Sequence, residues 1–245
     1  MMDPTAPGPL AAVAALIADP ARARMVSALF SGEALTAGEL ARVAGVAPAT
    51  ASGHLARLVE GGLVALHCQG RHRYHRLASE EVAAALETLG GLAVEIAGSA
   101  RPPWAHGETV RAARLCWNHL AGRLGVALHE RLTRNGSLEP APGGWRATPE
   151  GRRRLVATGV DMESAGRARR FACDCMDWSE RRPHLAGGLG REMAAAWLRQ
   201  GWLRRMPAHG EGDVLARRRV MLTPEGARRL REGLGVELEP LERAA

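Results

Sequence analysis

The stretch from Thr36 to Leu77 constrains this chain more than any other. Thr36-Ala37-Gly38-Glu39 is a capping box: the Thr36 side chain takes the backbone N–H of Glu39, and Glu39 reaches back. The short helix that follows turns Leu40 and Val43 inward and ends at Gly45, which permits a sharp turn. Pro48 opens a second helix over Ala49 to Val59. Its apolar face is Ala51, Leu55, Leu58 and Val59; the opposite face is Thr50, Ser52, Gly53, His54 and Arg57. Gly61-Gly62 stops it. Leu63 to His67, a turn at Gln69-Gly70, and Arg71 to Leu77 then read as a hairpin that carries Arg71, His72, Arg73, His75 and Arg76. This order predicts a domain that lays one helix in a major groove and sets a basic wing beside it. A helix face meant only for solubility would carry Glu and Lys. Short hydroxyls, a glycine, an imidazole and an arginine suit phosphates and base edges.

The flanks fit the same domain. Asp19-Pro20 starts a helix through Met25, Val26, Leu29 and Phe30, and an earlier helix covers about Leu10 to Ala18. Ser79 caps a helix from Glu80 to Gly98 with the apolar stripe Val82, Leu86, Leu89, Ala93 and Ile96. Asp19-Pro20-Ala21-Arg22, Leu40-Ala41, the run from Val46 to Leu55, Leu63-Val64 and the run from Gly70 to Leu77 together resemble the ArsR/SmtB family over about residues 10 to 98. The resemblance implies a winged helix-turn-helix and a repressor released by a bound effector. It makes the helix after Ser79 a dimer helix, with Leu16, Val82, Leu86, Leu89 and Ile96 as expected homodimer contacts. Two recognition helices would then meet a palindromic operator in double-stranded DNA. The expected DNA contacts are Thr36, Pro48, Thr50, Ser52, Gly53, His54, Arg57, Arg71, His72 and Arg73. The competing use of the stripe is packing on the C-terminal half. One departure is plain: Leu35 to Leu40 lacks the Cys-x-Cys by which many family members sense arsenic or lead.

Composition sets weaker bounds. With 245 residues the chain can form two compact units. The net charge of +7 favours a polyanionic partner, but all 33 cations are Arg, a bias that a GC-rich genome also produces. No apolar run approaches the ~20 residues that cross a bilayer, so no membrane partner is expected. Residues 1–9 lack a basic segment before an apolar one and read as a disordered leader, not a signal peptide. Four cysteines, Cys68, Cys116, Cys173 and Cys175, suit a reducing cytoplasm, where thiols sit in cores or bind metal.

The second half begins after a Pro-Pro linker, residues 99–107, and makes 108–245 a separate effector or scaffold domain. A long helix is expected from Thr109 to about Thr133, weakened at Gly122 and Gly125. Trp145 to Leu155 resembles Val220 to Leu230, and both hold Thr-Pro-Glu-Gly at a helix start. The expected fold is mainly α with small β-hairpins (α+β), with two wing-like repeats in the C-terminal domain. A reading in which Arg217, Arg218 and Arg219 add DNA contacts competes with plain scaffold reuse.

Cys116 and His119 are expected to share a helix face, and Cys173, Cys175, Asp177 and His184 form a second cluster. Cys175 to Arg181 resembles a string in longer members of the same family. Cys116, His119, Cys175, Asp177 and His184 are the candidate effector ligands, for a divalent metal such as zinc. Inert core thiols, a Cys173/Cys175 redox switch, and a small organic effector among Trp104, Trp117, Trp178, Trp197 and Trp202 stand beside it. No Gly-rich phosphate loop, nucleophile elbow or metalloprotease motif occurs, so an enzyme is not expected. A Cys116/His119 nucleophile–base pair and a protein-interaction scaffold are the alternatives to a regulator.

Overall fold

The computed structural model describes residues 9–30, 32–70, 72–96, 107–207 and 218–236. Two compact units divide them, one ending at Ala83 and the other starting at Ala84. The expected linker lies outside the described residues except for Gly107.

The first unit follows its local signals closely. Helix α1 (Pro9–Ile17) leads to α2 (Pro20–Leu29), whose N-cap Asp19 accepts the Arg22 amide at 2.9 Å. The Arg22 side chain turns back and donates to the carbonyls of Leu16 and Ala15, closing the C-terminal end of α1. After β1 (Leu35–Thr36), the capping box starts α3 (Ala37–Ala44), and Gly45 ends it at φ 68° in the left-handed region. Helix α4 runs Pro48–Glu60. Strands β2 (Val64–Gln69) and β3 (His72–Leu77) form the wing, with Val64 opposite Leu77 and Gln69 opposite His72; β1 adds to the outer edge of β3. Met25, Leu29, Leu40, Leu58 and Leu77 are its largest closed-off apolar side chains among the described residues. Helix α5 is Glu80–Ile96.

The second unit is an internal duplication. The first copy is a hairpin of β4 (Arg114–Cys116) and β5 (His119–Ala121), helix α7 (Gly122–Arg134), a hairpin of β6 (Leu138–Ala141) and β7 (Gly144–Ala147), and helix α8 (Pro149–Ala157). The second copy repeats the order: β8 (Cys173–Met176) and β9 (Pro183–Ala186), α10 (Gly187–Arg199), β10 (Leu203–Arg205) and β11 (Val220–Leu222), α11 (Pro224–Leu234). Helix α6 (Gly107–Ala112) precedes the first copy and α9 (Met162–Gly166) joins the two. Leu124, Leu128 and Leu132 of α7 and Leu189, Met193 and Trp197 of α10 recur every four residues and fill one shared core. Each second hairpin ends in a threonine cap, Thr148 accepting from Gly151 N and Thr223 from Gly226 N.

The expected long helix from Thr109 is not one element. It breaks into α6, a buried hairpin and α7. Trp117 takes the hairpin turn at φ 56°, and Gly122 starts α7 at φ 75°. A Cβ on Gly122 would lie 2.5 Å from the Arg111 carbonyl oxygen, so glycine is needed there.

Candidate nucleic-acid interface and metal centre

Helix α4 sorts its side chains as its pattern predicts. Ala51, Leu55 and Leu58 are buried, whereas Pro48, Thr50, Ser52, Gly53 and Arg57 are exposed. The Ser52 hydroxyl donates to the Pro48 carbonyl at 3.0 Å, which leaves its lone pairs outward. His54 is half-buried instead. Its Nδ1 lies 3.4 Å from an Arg22 nitrogen and 3.9 Å from Asp19 Oδ1, so it ties α4 to the start of α2. Thr36 is likewise engaged: its N–H and hydroxyl both donate to Glu39 Oε2 at 2.8 Å.

On the wing, His72, Arg73 and Arg76 are exposed; Arg71 lies outside the described residues. His75 turns inward opposite Leu35 and Leu66, and burial holds its imidazole below the ordinary value. Leu16 is half-buried, and a Cβ on Gly61 would collide with it. Along α5, Val82 and Leu86 are half-buried and Leu89 is 45% exposed; the Ile96 side chain lies outside the described residues.

The second unit brings Cys116, His119, Cys175 and His184 together, by a route different from the expected helix face. Cys116 and His119 are cross-strand partners in hairpin β4–β5, and Cys175 and His184 are cross-strand partners in hairpin β8–β9. Each copy of the duplication thus supplies one cysteine and one histidine from equivalent positions. All four are buried, and their ligand atoms lie within 4.8 Å of one another. The two sulfurs are 3.9 Å apart and the imidazole centroids 5.1 Å. Close approach depends on glycine: a Cβ on Gly125 would meet the Leu120 oxygen at 2.4 Å and His184 Cβ at 3.4 Å. A Cβ on Gly190 would meet the Leu185 oxygen at 2.3 Å and His119 Cβ at 3.1 Å. Contact with the Cys175 thiol, together with burial, pushes the Cys116 thiol up to about 12.

Asp177 sits behind this cluster with its oxygens taken. Oδ1 accepts from Arg114 at 2.9 Å and from the Ser179 and Glu180 amides; Oδ2 accepts from Gly122 N and lies 3.3 Å from His184 Nδ1. Burial opposes its charge, but His184, Arg114 and the Gly122 amide hold Asp177 well below the usual carboxylate range. Burial likewise opposes a cationic His184, yet Asp177 and Cys116 lift it to about 9. Arg114 is closed off from solvent, lies over the Trp178 ring at 4.5 Å, and approaches Glu87 at 4.0 Å. Arg218 donates to both Glu87 oxygens, at 2.8 and 2.9 Å, and to the Leu115 carbonyl. Arg218 and Arg219 are therefore buried, and Arg217 lies outside the described residues. The described tryptophans are spread out: Trp197 and Trp202 stack in the core, Trp178 covers Arg114 and Trp117 takes the β4–β5 turn, while Trp104 lies outside the described residues.

Sequence reasoning missed Arg114, Glu87 and Asn118, and weighed Arg218 only as a DNA contact, whereas it is buried on Glu87. An isolated Glu on an amphipathic helix gives no sign of burial. The hairpins did leave a signal, because His119-Leu120-Ala121-Gly122-Arg123-Leu124-Gly125 recurs as His184-Leu185-Ala186-Gly187-Gly188-Leu189-Gly190.

Residues 17–67 match a helix-turn-helix domain family. Over 199 residues the chain is 36% identical to the HTH-type transcriptional regulator YdfF of Bacillus subtilis (strain 168), which takes in 81% of this chain and 88% of that protein. Among solved structures, the homodimeric winged helix-turn-helix DNA-binding domain of Mb0332 from Mycobacterium bovis, a possible ArsR-family regulator, is 28% identical over 36% of this chain and 82% of its own, with a TM-score of 0.34. The cadmium metal-sensor CMTR from Mycobacterium tuberculosis is 34% identical over 32% of this chain and 81% of its own, with a TM-score of 0.29. No helix among the described residues is long and apolar enough to cross a membrane.

Proposed function

Because this chain belongs to the HTH-type transcriptional regulators, we propose that it is an ArsR-type member and acts in the cytoplasm as a dimeric repressor whose hold on DNA is released by an effector bound in its C-terminal domain. The observation that carries this reading is the outward polar face of α4: Thr50, Ser52, Gly53 and Arg57 are exposed while the leucines of the same helix are buried. Pro48, His72 and Arg73 extend the set, and Arg71, which precedes His72 in the sequence, is proposed with them. Thr36 and His54 act by holding α3 and α4 in place. The dimer is supported by apolar side chains left open on single-chain helices: Leu10 at 83% and Val13 at 41% on α1, Leu89 at 45% and Leu92 at 49% on α5. Leu16, Val82, Leu86 and Ile96 are proposed to complete that interface. The domain assignment, with residues 10–98 for DNA and dimerisation and 108–245 for the effector, is part of the same proposal.

A divalent metal is the effector class that the buried cysteines and histidines support. An enzymatic use of Cys116 is disfavoured by its burial, which leaves its sulfur out of reach of a substrate. The test is an anisotropy titration of the full chain on duplex DNA from upstream of its own gene, across a salt series. The double variant Arg57→Ala/Arg73→Ala should bind at least about tenfold more weakly, with the slope of log affinity against log salt reduced by roughly one per lost phosphate contact. Unchanged affinity and slope would remove the assignment of α4 and the wing to DNA.

A further inference from the structure

We propose that Cys116, His119, Cys175 and His184 hold one tetrahedral metal ion of the zinc class, bound through two thiolates and the two histidine Nε2 atoms, with half of the ligand set supplied by each copy of the duplication. This deepens the effector reading by giving the effector a site and a chemistry.

The geometry comes first. With metal–sulfur bonds of about 2.3 Å, a tetrahedral centre separates its two sulfurs by about 3.8 Å. The Cys116 and Cys175 sulfurs are 3.9 Å apart. A disulfide would need about 2.05 Å. The histidines are turned the right way. His119 Nδ1 lies 3.2 Å from Asn118 Oδ1 and His184 Nδ1 lies 3.3 Å from Asp177 Oδ2, whereas both Nε2 atoms are buried without a hydrogen-bond partner. An oxygen behind Nδ1 and a bare Nε2 in front is how a metal-binding imidazole is oriented. His184 Nδ1 also lacks a well-aligned hydrogen bond despite its 3.3 Å approach to Asp177 Oδ2. Buried, unpartnered ring nitrogens beside two thiols are costly by themselves, and a dication bound at the two Nε2 atoms answers that cost.

The chemistry follows from the donors. Two sulfurs and two imidazoles suit zinc, or the softer cadmium, over magnesium or calcium. Four protein ligands leave no open position, so the ion binds and does not activate water. Asp177 is a positioning residue, since its oxygens already serve Arg114, Gly122, Ser179 and Glu180. The ion joins the two copies because neither alone offers more than one sulfur and one nitrogen to it.

The full chain is purified under reductant, stripped with chelator and titrated with zinc(II) and with cobalt(II). The wild type should take up one metal per chain, and its cobalt form should show intense tetrahedral ligand-field bands with a thiolate charge-transfer band. Cys116→Ser and Cys175→Ser should lose that spectrum, and Cys68→Ser, at an exposed thiol, should keep it. Asn118→Ala should bind about 10-fold more weakly. Wild-type chain that takes up no stoichiometric metal, gives a weak octahedral cobalt spectrum, or carries a Cys116–Cys175 disulfide overturns the site, whatever the variants do. Operator affinity measured with and without zinc separates the two readings. Stoichiometric metal with unaltered operator affinity removes the effector role and keeps the site. Intact operator binding without metal uptake removes the site and keeps the regulator.

Discussion

The wing β2–β3 and the paired hairpins β4–β5 and β8–β9 are made from similar residue types turned in opposite directions. The wing holds His72, Arg73 and Arg76 in solvent, where polar side chains stay hydrated at little structural cost. The C-terminal hairpins turn Arg114, His119 and His184 inward, where every charge and lone pair needs a partner. A polar group held outside is free to serve a ligand and is nearly neutral for folding. The same group held inside becomes part of what defines the fold, and its removal is felt as lost stability.

That contrast is tested most severely by Arg114→Ala. It leaves the buried Asp177 carboxylate without its guanidinium and deprives Glu87 of a second cation, so unfolding in urea should show a loss of about 3–5 kcal/mol. A loss below about 1 kcal/mol would mean that buried charge here is not structural. The outward counterpart, Arg57→Ala, should leave the urea midpoint unchanged and weaken operator binding by about 1–3 kcal/mol. Thr36→Ala probes a residue claimed by both sides. As a cap it should cost about 1 kcal/mol of stability, with operator affinity per folded molecule preserved. Affinity lost without stability would return its hydroxyl to the interface.

The smallest effect concerns His75, the inward histidine of the wing. Its pKa is held below 6.5 by burial, so the folded chain stays neutral there while the unfolded chain takes up a proton. Its contribution is complete above about pH 6.5 and falls away as the pH drops below that value. His75→Leu should flatten the acid side of the stability profile by less than about 1.4 kcal/mol per pH unit. A slope identical to wild type would mean that His75 titrates as if exposed.

The first unit was legible because its instructions are local. Asp19, Thr36, Gly45, Pro48 and Gly61 each fix a boundary through their own backbone, and leucine spacing assigns the faces. Helix bounds there fall within a residue or two of expectation. The second unit hid its layout for a physical reason. Arg114-Leu115-Cys116 and His119-Leu120-Ala121 are short apolar runs that fit a buried strand as well as a helix, and only tertiary pairing chooses between them. The four metal-ligand candidates were legible as residue types. Cys116 and His119 were expected to share a helix face, whereas the protein brings the four together through cross-strand pairs. The Thr-Pro-Glu-Gly repeat was visible because caps are local. The matching His-Leu-Ala-Gly segments were the missed half of the same duplication.

Glu87 gives α5 a property that its apolar stripe would not. Helices that meet through leucines can slip past one another, since one greasy ridge replaces the next. A carboxylate locked between Arg218 and Arg114 acts as a key in a keyway: sliding by one turn, about 5.4 Å, would leave an anion and two cations facing hydrocarbon. Any axial shift of α5 must therefore drag Arg114 along, and with it Asp177 and the imidazole of His184.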